Sequence, residues 1–485
     1  MGFLNESAWT GKIYTDGWVA ASGGDAPVVE PATGREIGRS GVADRSDVER
    51  AAIRAAAAQA EWASTAFDER AAILRRAGEL INEHAHELHA WIMPETGGTP
   101  PKAAFETHVA AGECIAAAEL TSRPLGQVLP TPQPQLSIAR RLPVGVVGVI
   151  SPFNFPLILS SRSVAPALAL GNAVLLKPDP RTAVTGGILL ARVFEEAGLP
   201  PGLLHVLPGG ADIGQALIED PHVRLISFTG STAAGRQVGE AAARNFKRVL
   251  LEMGGNNALV VFDDADLELA ASAGAYGSFL HQGQICMTTG RHVVHERLKD
   301  DYVELLAKKA DAMPVGNPLT EQVALGPVID EHQRDKIHRL VTDSLDAGAT
   351  LAAGGRFEGL FYRPTVLDNV TRQTPVYTDE IFGPVAPVVS FSSDDEAIAL
   401  ASDTAYGLSL GIITRDVMKG VELAGRIPAG IVHINDQTVA DEPIIPFGGV
   451  RASGNGTRLG GDANIEAFTE TQWLTIRGDV PAYPF

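Results

Sequence analysis

The chain carries two cysteines, Cys114 and Cys286, in 485 residues. That scarcity excludes a disulfide scaffold and leaves one thiol free to carry chemistry. Long apolar runs are also missing. The stretch Leu142 to Ile150 falls far short of the roughly 20 residues that a spanning helix needs, so no membrane partner is expected. The start of the chain, MGFLNESAWTGK, lacks a charged segment followed by an apolar one. No signal peptide is expected, and the chain is placed in a reducing cytoplasm. Positive charge is in deficit: 39 Lys and Arg stand against 58 Asp and Glu, for a net charge of -19. A surface of that sign repels phosphate, so a general nucleic-acid partner is excluded. There is no internal repeat and no low-complexity tract beyond an alanine bias.

What is present is ordinary for a large globular chain, with 45% hydrophobic and 20% charged residues. The length suggests two or more domains with ample core. Alanine-rich stretches at 47–63, 68–89 and about 102–120 read as helices. Proline-rich 124–134 breaks that pattern, and 136–141 reads as an extended arm. Then the period changes. Leu142 to Ile150 and Ala173 to Lys177 are continuous apolar runs, as in strands buried on both faces. Strands at 203–207, 224–228 and 248–251 alternate with helices at 182–197, from 211 and from 232. This alternation predicts a doubly wound parallel sheet. A second alternating stretch, 257–434, predicts a second α/β domain. The tail at 466–477 reads as a strand without a core of its own, to be paired with the 136–141 arm or with another subunit.

Several short motifs could carry chemistry. In Phe228-Thr-Gly-Ser-Thr-Ala-Ala-Gly235 a strand runs into a turn that opens a helix, and free N–H groups at a helix start suit a pyrophosphate. Alone, the same turn is an ordinary N-cap. Cys286 sits in His281-Gln-Gly-Gln-Ile-Cys-Met287; alone, a single cysteine is as well explained as an apolar filler. Glu252 ends an apolar strand before Gly254-Gly255, at the strand end where open α/β sheets bind ligands. Burial there would raise its pKa toward the general-base range. Asn154 lies in the stiff loop Ser151-Pro-Phe-Asn-Phe-Pro156 and could donate to an oxyanion. Lys177 ends a strand and could reach ribose hydroxyls or a phosphate. His84, His86 and His89 read as surface residues on one helix, and no metal site is expected.

Together, in this order and spacing, these segments resemble the aldehyde dehydrogenase superfamily from about Asn5 to the C-terminus. Glu380-Ile-Phe-Gly-Pro384 and Pro446-Phe-Gly-Gly449 belong to the same set. The stretch 281–292, with Asn435-Asp-Gln-Thr-Val439 and Ser453-Gly-Asn-Gly456, resembles the benzaldehyde and vanillin dehydrogenase branch. The resemblance implies an α/β fold with a Rossmann-type cofactor domain (1–124 and 144–252), an α/β catalytic domain (253–465) and a small β bridging ribbon (125–143 and 466–485). The ribbon would join subunits into a homodimer or homotetramer. The resemblance implies Cys286 as nucleophile, Asn154 with the Cys286 N–H as oxyanion donors, and Glu252 as the base that activates water against the thioester. NAD or NADP would contact Ile150, Ser151, Pro152, Lys177, Pro180, Gly210, Phe228, Gly230, Ser231, Met253, Glu380 and Phe382. Phe155, Ile285 and Met287 are expected to wall the pocket of an aromatic aldehyde.

One departure concerns the cofactor. Many NAD-preferring relatives carry a glutamate three residues after the strand-end lysine, and here Lys177-Pro-Asp-Pro180 puts proline there. Proline accepts no ribose hydrogen bond and removes a charge that would repel a 2′-phosphate, so NADP is expected to be usable. Two rival functions stay open: a dehydrogenase of aliphatic aldehydes or semialdehydes, and a catalytically silent binding protein on the same fold. A redox-free cysteine hydrolase is the poorest reading, because no histidine sits in a motif that would pair with Cys286.

Overall fold

A computed structural model describes residues 2–485. The helices Arg45–Ser64, Phe67–Glu83, Ala85–Thr96 and Pro100–Leu120 precede the first central strand. Arg45–Ser64 starts at a reciprocal cap: the Asp44 side chain accepts from the Asp47 N–H, and Asp47 accepts from the Asp44 N–H. The helix expected at 68–89 is in fact two. His84 breaks it, its ring stacked at 4.1 Å on Phe3, so a contact with the N-terminal segment overrides the local helical preference.

The first sheet has seven strands, in the order Arg248–Glu252, Val223–Thr229, Val146–Ile150, Ala173–Lys177, Leu204–Val206, Lys12–Tyr14, Trp18–Ala20. The first five run parallel, and the last two turn back antiparallel. Val146–Ile150 and Ala173–Lys177 are buried at every position, which is why they read as unbroken apolar runs. Chain order reverses between Val146–Ile150 and Val223–Thr229. That is the switch point at which the C-terminal strand ends leave a crevice.

The second sheet also has seven strands, in the order Thr350–Ala353, Thr365–Asp368, Val385–Phe391, Thr289–His295, Asn257–Val261, Ser409–Ile413, Ile431–Ile434. All but Thr350–Ala353 are parallel to their neighbours. Arg291 holds this sheet to the loop before it. Its buried guanidinium donates to the carbonyls of Leu400 and Ala401, at the C-terminal end of the helix Asp394–Ser402, and to Asn256 O at 3.0 Å. A cation at a helix C-terminus is also favoured by the dipole.

A third, three-stranded sheet joins Gly126–Val128, Leu136–Pro143 and Thr469–Ile476. The tail pairs antiparallel with the arm from Thr469↔Pro143 to Ile476↔Leu136. The apolar run 142–150 is therefore divided: Leu142 and Pro143 belong to this ribbon, and the buried strand begins at Val146, with Gly145 at φ +121° in the bend. Val128, Leu136 and Ile476 leave an exposed apolar face on the ribbon, and Trp473 is exposed on the opposite face. Among the described residues no helix is long and apolar enough to cross a membrane.

Replacing Arg291 by Met would fill its volume but strand several buried carbonyls. The expected cost is about 3 kcal/mol, read as a fall of several degrees in the apparent thermal midpoint. An unchanged midpoint would show that the Arg291 bonds contribute nothing net.

Candidate active site

A cavity of about 760 Å³ opens at the switch point of the first sheet and is closed from the opposite side by segments of the second. Its size is that of a ligand pocket rather than a packing gap. Ile150, Ser151, Pro152 and Asn154 enter it from the end of Val146–Ile150, Lys177 and Pro180 from the end of Ala173–Lys177, and Phe228 and Gly230 from the end of Val223–Thr229. Two helix starts border it. Thr232–Arg244 is capped by Ser231, whose side chain accepts from the Ala234 N–H at 3.3 Å. Ala211–Glu219 begins at Gly210, which supplies no side-chain cap. Two positive dipole ends facing one cavity suit a diphosphate.

Cys286, Glu252 and Asn154 line the same cavity. Cys286 is partly exposed. Its loop is tied down on the far side: Asn257 Nδ2 donates to the carbonyls of Cys286 at 2.9 Å and Thr288 at 2.8 Å, and Thr438 Oγ1 donates to Met287 O at 2.7 Å. Just before it, His281, Gln282 and Gly283 have φ of +47°, +56° and +65°, a left-handed turn costing about 1–3 kcal/mol at each non-glycine position. Gly283 is obligatory there. A Cβ would stand 2.1 Å from the Gly383 carbonyl oxygen. Asn154 Nδ2 donates to Gln284 O at 2.9 Å, so the loop of the first sheet is bonded to the cysteine turn.

The acids of the cavity are poorly solvated. Glu252 is buried, and neither carboxylate oxygen has a hydrogen-bond partner. Burial pushes its pKa well above the usual carboxylate range, against the opposing pull of Arg458, Arg162 and the nearby Gly449 N–H. Glu380 is pushed up to about 7 by burial, against Lys336 and the Gly255 N–H, which donates to it at 3.0 Å. That carboxylate packs directly on Gly254, where a Cβ would meet it at 2.2 Å; this is the physical content of the Gly-Gly pair after Met253. Burial, then Glu380 and Glu252, push the Cys286 thiol up to about 12.

Every residue expected to touch a cofactor lines the cavity, including Met253, Ser231 and Phe382. Lys177 is buried, its ammonium donating to Pro178 O at 3.2 Å, and burial lowers its pKa. Phe155, Ile285 and Met287, expected as aldehyde walls, are buried and are not among the residues that line this cavity. Ile285 and Met287 turn into the core while Cys286 between them faces out. Phe155 is held behind the loop by His281, edge-to-face at 5.1 Å, with the Lys102 ammonium over its ring at 4.8 Å.

Phe153 and Phe447, from the motifs at 151–156 and 446–449, line the cavity with Arg162, Arg181, Gln333 and Lys336, which no motif announces. Gln333 Nε2 donates to Phe382 O at 2.7 Å and holds Phe382 in its left-handed conformation, φ +54°. Phe153 meets Phe382 edge-to-face at 5.8 Å and carries the Arg181 guanidinium on its ring at 4.2 Å. Arg162 lies over Phe447 at 4.7 Å. It donates from Nε to Glu113 at 3.0 Å and from Nη2 to Asp441 at 2.6 Å, and these two carboxylates keep it cationic. Among the described residues no group of His, Cys, Asp and Glu side chains could hold a metal. His84 and His89 have instead Glu87 and Thr107 as neighbours at 3.3 and 2.9 Å.

With its thiol held high, cofactor-free Cys286 should alkylate slowly at neutral pH. Because only the thiolate reacts, the rate should rise about tenfold per pH unit with no plateau below about pH 10. Iodoacetamide labelling read by mass spectrometry checks this; a plateau near pH 7 would show a thiolate already formed. Cys114, fully buried, should stay unlabelled.

The chain matches the aldehyde dehydrogenase family model over residues 18–474. It is 66% identical to vanillin dehydrogenase of an Amycolatopsis species, with 100% of both chains covered. It is 49% identical to benzaldehyde dehydrogenase [NAD(+)] of Pseudomonas putida, over 98% of each chain. Among solved structures, a salicylaldehyde dehydrogenase of Pseudomonas putida G7 complexed with salicylaldehyde superposes with a TM-score of 0.95 at 35% identity, covering 98% of this chain and 99% of that one. A match across nearly the whole length, on a fold this similar, means that the chain belongs to the aldehyde dehydrogenase family and is an NAD(P)-dependent oxidoreductase.

Proposed function

We propose that this enzyme oxidises aromatic aldehydes of the benzaldehyde and vanillin type to their carboxylic acids. The observation that carries the reading is the convergence of Cys286, Glu252 and Asn154 on one cavity that also holds the cofactor-type contacts. The named substrates of its relatives support the aromatic class. The cavity supports it too. Arg162 is already held by Glu113 and Asp441 through Nε and Nη2, which leaves only Nη1 for the distal carboxylate of a semialdehyde. The aromatic Phe447 beneath Arg162 and the nearby Leu159 suit a flat ring.

In this reading Cys286 Sγ adds to the aldehyde carbon, and Glu252 takes the thiol proton. Both groups are pushed upward by burial, and the transfer removes one of the like charges that oppose the thiolate. The oxygen that becomes negative is met by the Asn154 amide and the Cys286 N–H. When bound, the oxidised nicotinamide supplies the two-electron acceptor for that carbon, leaving a thioester on Cys286. Glu252 passes the thiol proton to solvent and then takes one from water as the water oxygen attacks the thioester; the carbon–sulfur bond breaks, the Cys286 sulfur leaves as thiolate and the carboxylic acid is released. Lys177 and Glu380 would hold the two ribose units, Gly230 and Ser231 the pyrophosphate, and Phe382 the nicotinamide face. Ile150, Ser151, Pro152, Pro180, Gly210, Phe228 and Met253 would complete the cofactor contacts. The cofactor-binding part would span 1–124 and 144–252, and the catalytic part 253–465. The ribbon of 125–143 and 466–485 would pair subunits through its apolar face into a homodimer or homotetramer, in the cytoplasm.

NADP is proposed as a second usable cofactor. Pro180 offers no acceptor to the adenosine ribose, and the neighbouring Asp179 is turned onto Arg181 at 2.8 Å. A kcat/KM panel of benzaldehyde, vanillin, succinic semialdehyde and hexanal with each cofactor tests both points. The aromatic pair should lead by about tenfold or more, and a thousandfold preference for NAD would refute the NADP claim. Cys286→Ala should abolish turnover. Glu252→Gln should slow both steps, the one-equivalent burst of reduced nicotinamide because the thiol loses its base and steady-state turnover at least about 100-fold because hydrolysis of the thioester stalls; full steady-state turnover by either variant would overturn the mechanism. Light scattering should give two or four times the 51.0 kDa chain mass, and a monomer would refute the ribbon's role.

A further inference from the structure

His281 takes no part in the chemistry or the cofactor contacts above, yet it is buried directly behind them. Its Nε2 lies 2.9 Å from the main-chain oxygen of Asn154. A carbonyl only accepts, so Nε2 carries the hydrogen and donates. Nδ1 has no partner, and burial together with the Lys102 charge holds the ring neutral. The Asn154 loop is gripped on its other side as well. Phe155 is wedged between His281 and the Lys102 ammonium. Lys102 pairs with Glu106, and Glu106 accepts from the Leu157 N–H at 2.8 Å.

The Asn154 amide shows what the grip is for. Nδ2 has two hydrogens. One goes to Gln284 O at 2.9 Å, and the second is left for the cavity that Asn154 shares with Cys286. His281 and Gln284 belong to one turn. Two bonds therefore cross between the loop and the turn in opposite senses, His281 to the Asn154 carbonyl and the Asn154 amide to the Gln284 carbonyl. With one bond the amide could pivot; with two its direction is fixed. The turn is left-handed at His281, Gln282 and Gly283, a conformation that persists where surrounding contacts over-determine it.

We propose that His281 is the positioning residue of the oxyanion site: a neutral imidazole whose Nε2–H clamps the Asn154 carbonyl and so aims the free Asn154 amide hydrogen at the aldehyde oxygen. The proposal rests on the reading of Asn154 as an oxyanion donor. The donor matters most where charge develops, so loosening it should lower kcat more than it raises KM.

A cycle of His281→Phe and Asn154→Ala tests this in the full-length enzyme, with His281→Gln and His281→Asn alongside. Phe keeps a packed ring and removes the donor; Gln restores a donor of similar reach; Asn suits the left-handed backbone but is too short to reach. His281→Phe should lower kcat about 10- to 100-fold, with KM for benzaldehyde and Kd for NAD within about twofold. Gln should recover part of the rate and Asn none. In the Asn154→Ala background, His281→Phe should cause no further loss, because the group it aims is gone. Equal losses in both backgrounds, wild-type kcat in His281→Phe, or wild-type kcat in His281→Asn would each overturn the proposal. If His281→Phe does not fold, as judged by its thermal midpoint, the cycle is run with His281→Asn and is read by the same outcomes. An unchanged kcat in Asn154→Ala would be a different failure: it would remove the reading of Asn154 and, with it, the ground for this proposal.

Discussion

The hydrogen bond from Asn154 to the Gln284 carbonyl joins two sheets that share no strand. Asn154 follows the first central strand of one sheet, and Gln284 precedes the second parallel strand of the other. Each sheet can be built from local patterns and its own core. A nucleophile from one and a donor from the other can face each other only if something fixes their relative position to a fraction of an ångström. Side chains and carbonyls of the two loops do this. The cost is visible in the backbone: consecutive left-handed residues before Cys286, and Phe382 left-handed in the loop that packs against them. The contact of Gly283 with Gly383 is where those two strained loops touch, and no side chain fits between them.

The sheets were legible in the sequence because a parallel strand covered on both faces leaves an unbroken apolar run. Val146–Ile150 and Ala173–Lys177 show this most clearly. The motifs at the strand ends were legible for a related reason: the switch point concentrates ligand contacts where strands stop. Boundaries were less so. Nothing in 68–89 announces that Phe3 will stack on His84 and end a helix, and nothing in 142–150 marks where the ribbon stops and the sheet begins. The burial of the residues beside Cys286 was not legible, for a plainer reason. Proximity in sequence to a reactive residue says little about side-chain direction. In the turn that presents Cys286, its neighbours Ile285 and Met287 point the opposite way, into the core. Arg162 was visible only as a stray arginine, since Glu113 and Asp441, which define its state, lie 49 and 279 positions away.

Burial sets the chemistry as firmly as geometry does. Glu252, Glu380 and Cys286 border one cavity in a chain of net charge -19, and each is pushed toward its neutral form. In water these groups would differ by more than four units, with carboxylates near 4 and a thiol near about 8.5. Burial lifts all three, Glu380 to about 7 and Glu252 well above the usual carboxylate range. The same low-dielectric surroundings make each amide donor more effective against a developing oxyanion.

These demands explain why base and donor stand at the ends of different strands of the first sheet rather than in a single loop. A base must be poorly solvated to have a useful pKa, yet a donor must be rigid, and rigidity near an unpaired buried carboxylate is costly. Here the two are separated. Glu252 ends a strand with no partner on either oxygen, while Asn154 is bonded through its side chain to the cysteine turn and through its carbonyl to His281. Strain and desolvation are thus placed on different elements, both packed on the core of the first sheet. A single loop carrying both would have to be at once unsatisfied and immobile. Such a loop would relax by local unfolding, since few buried contacts would hold it.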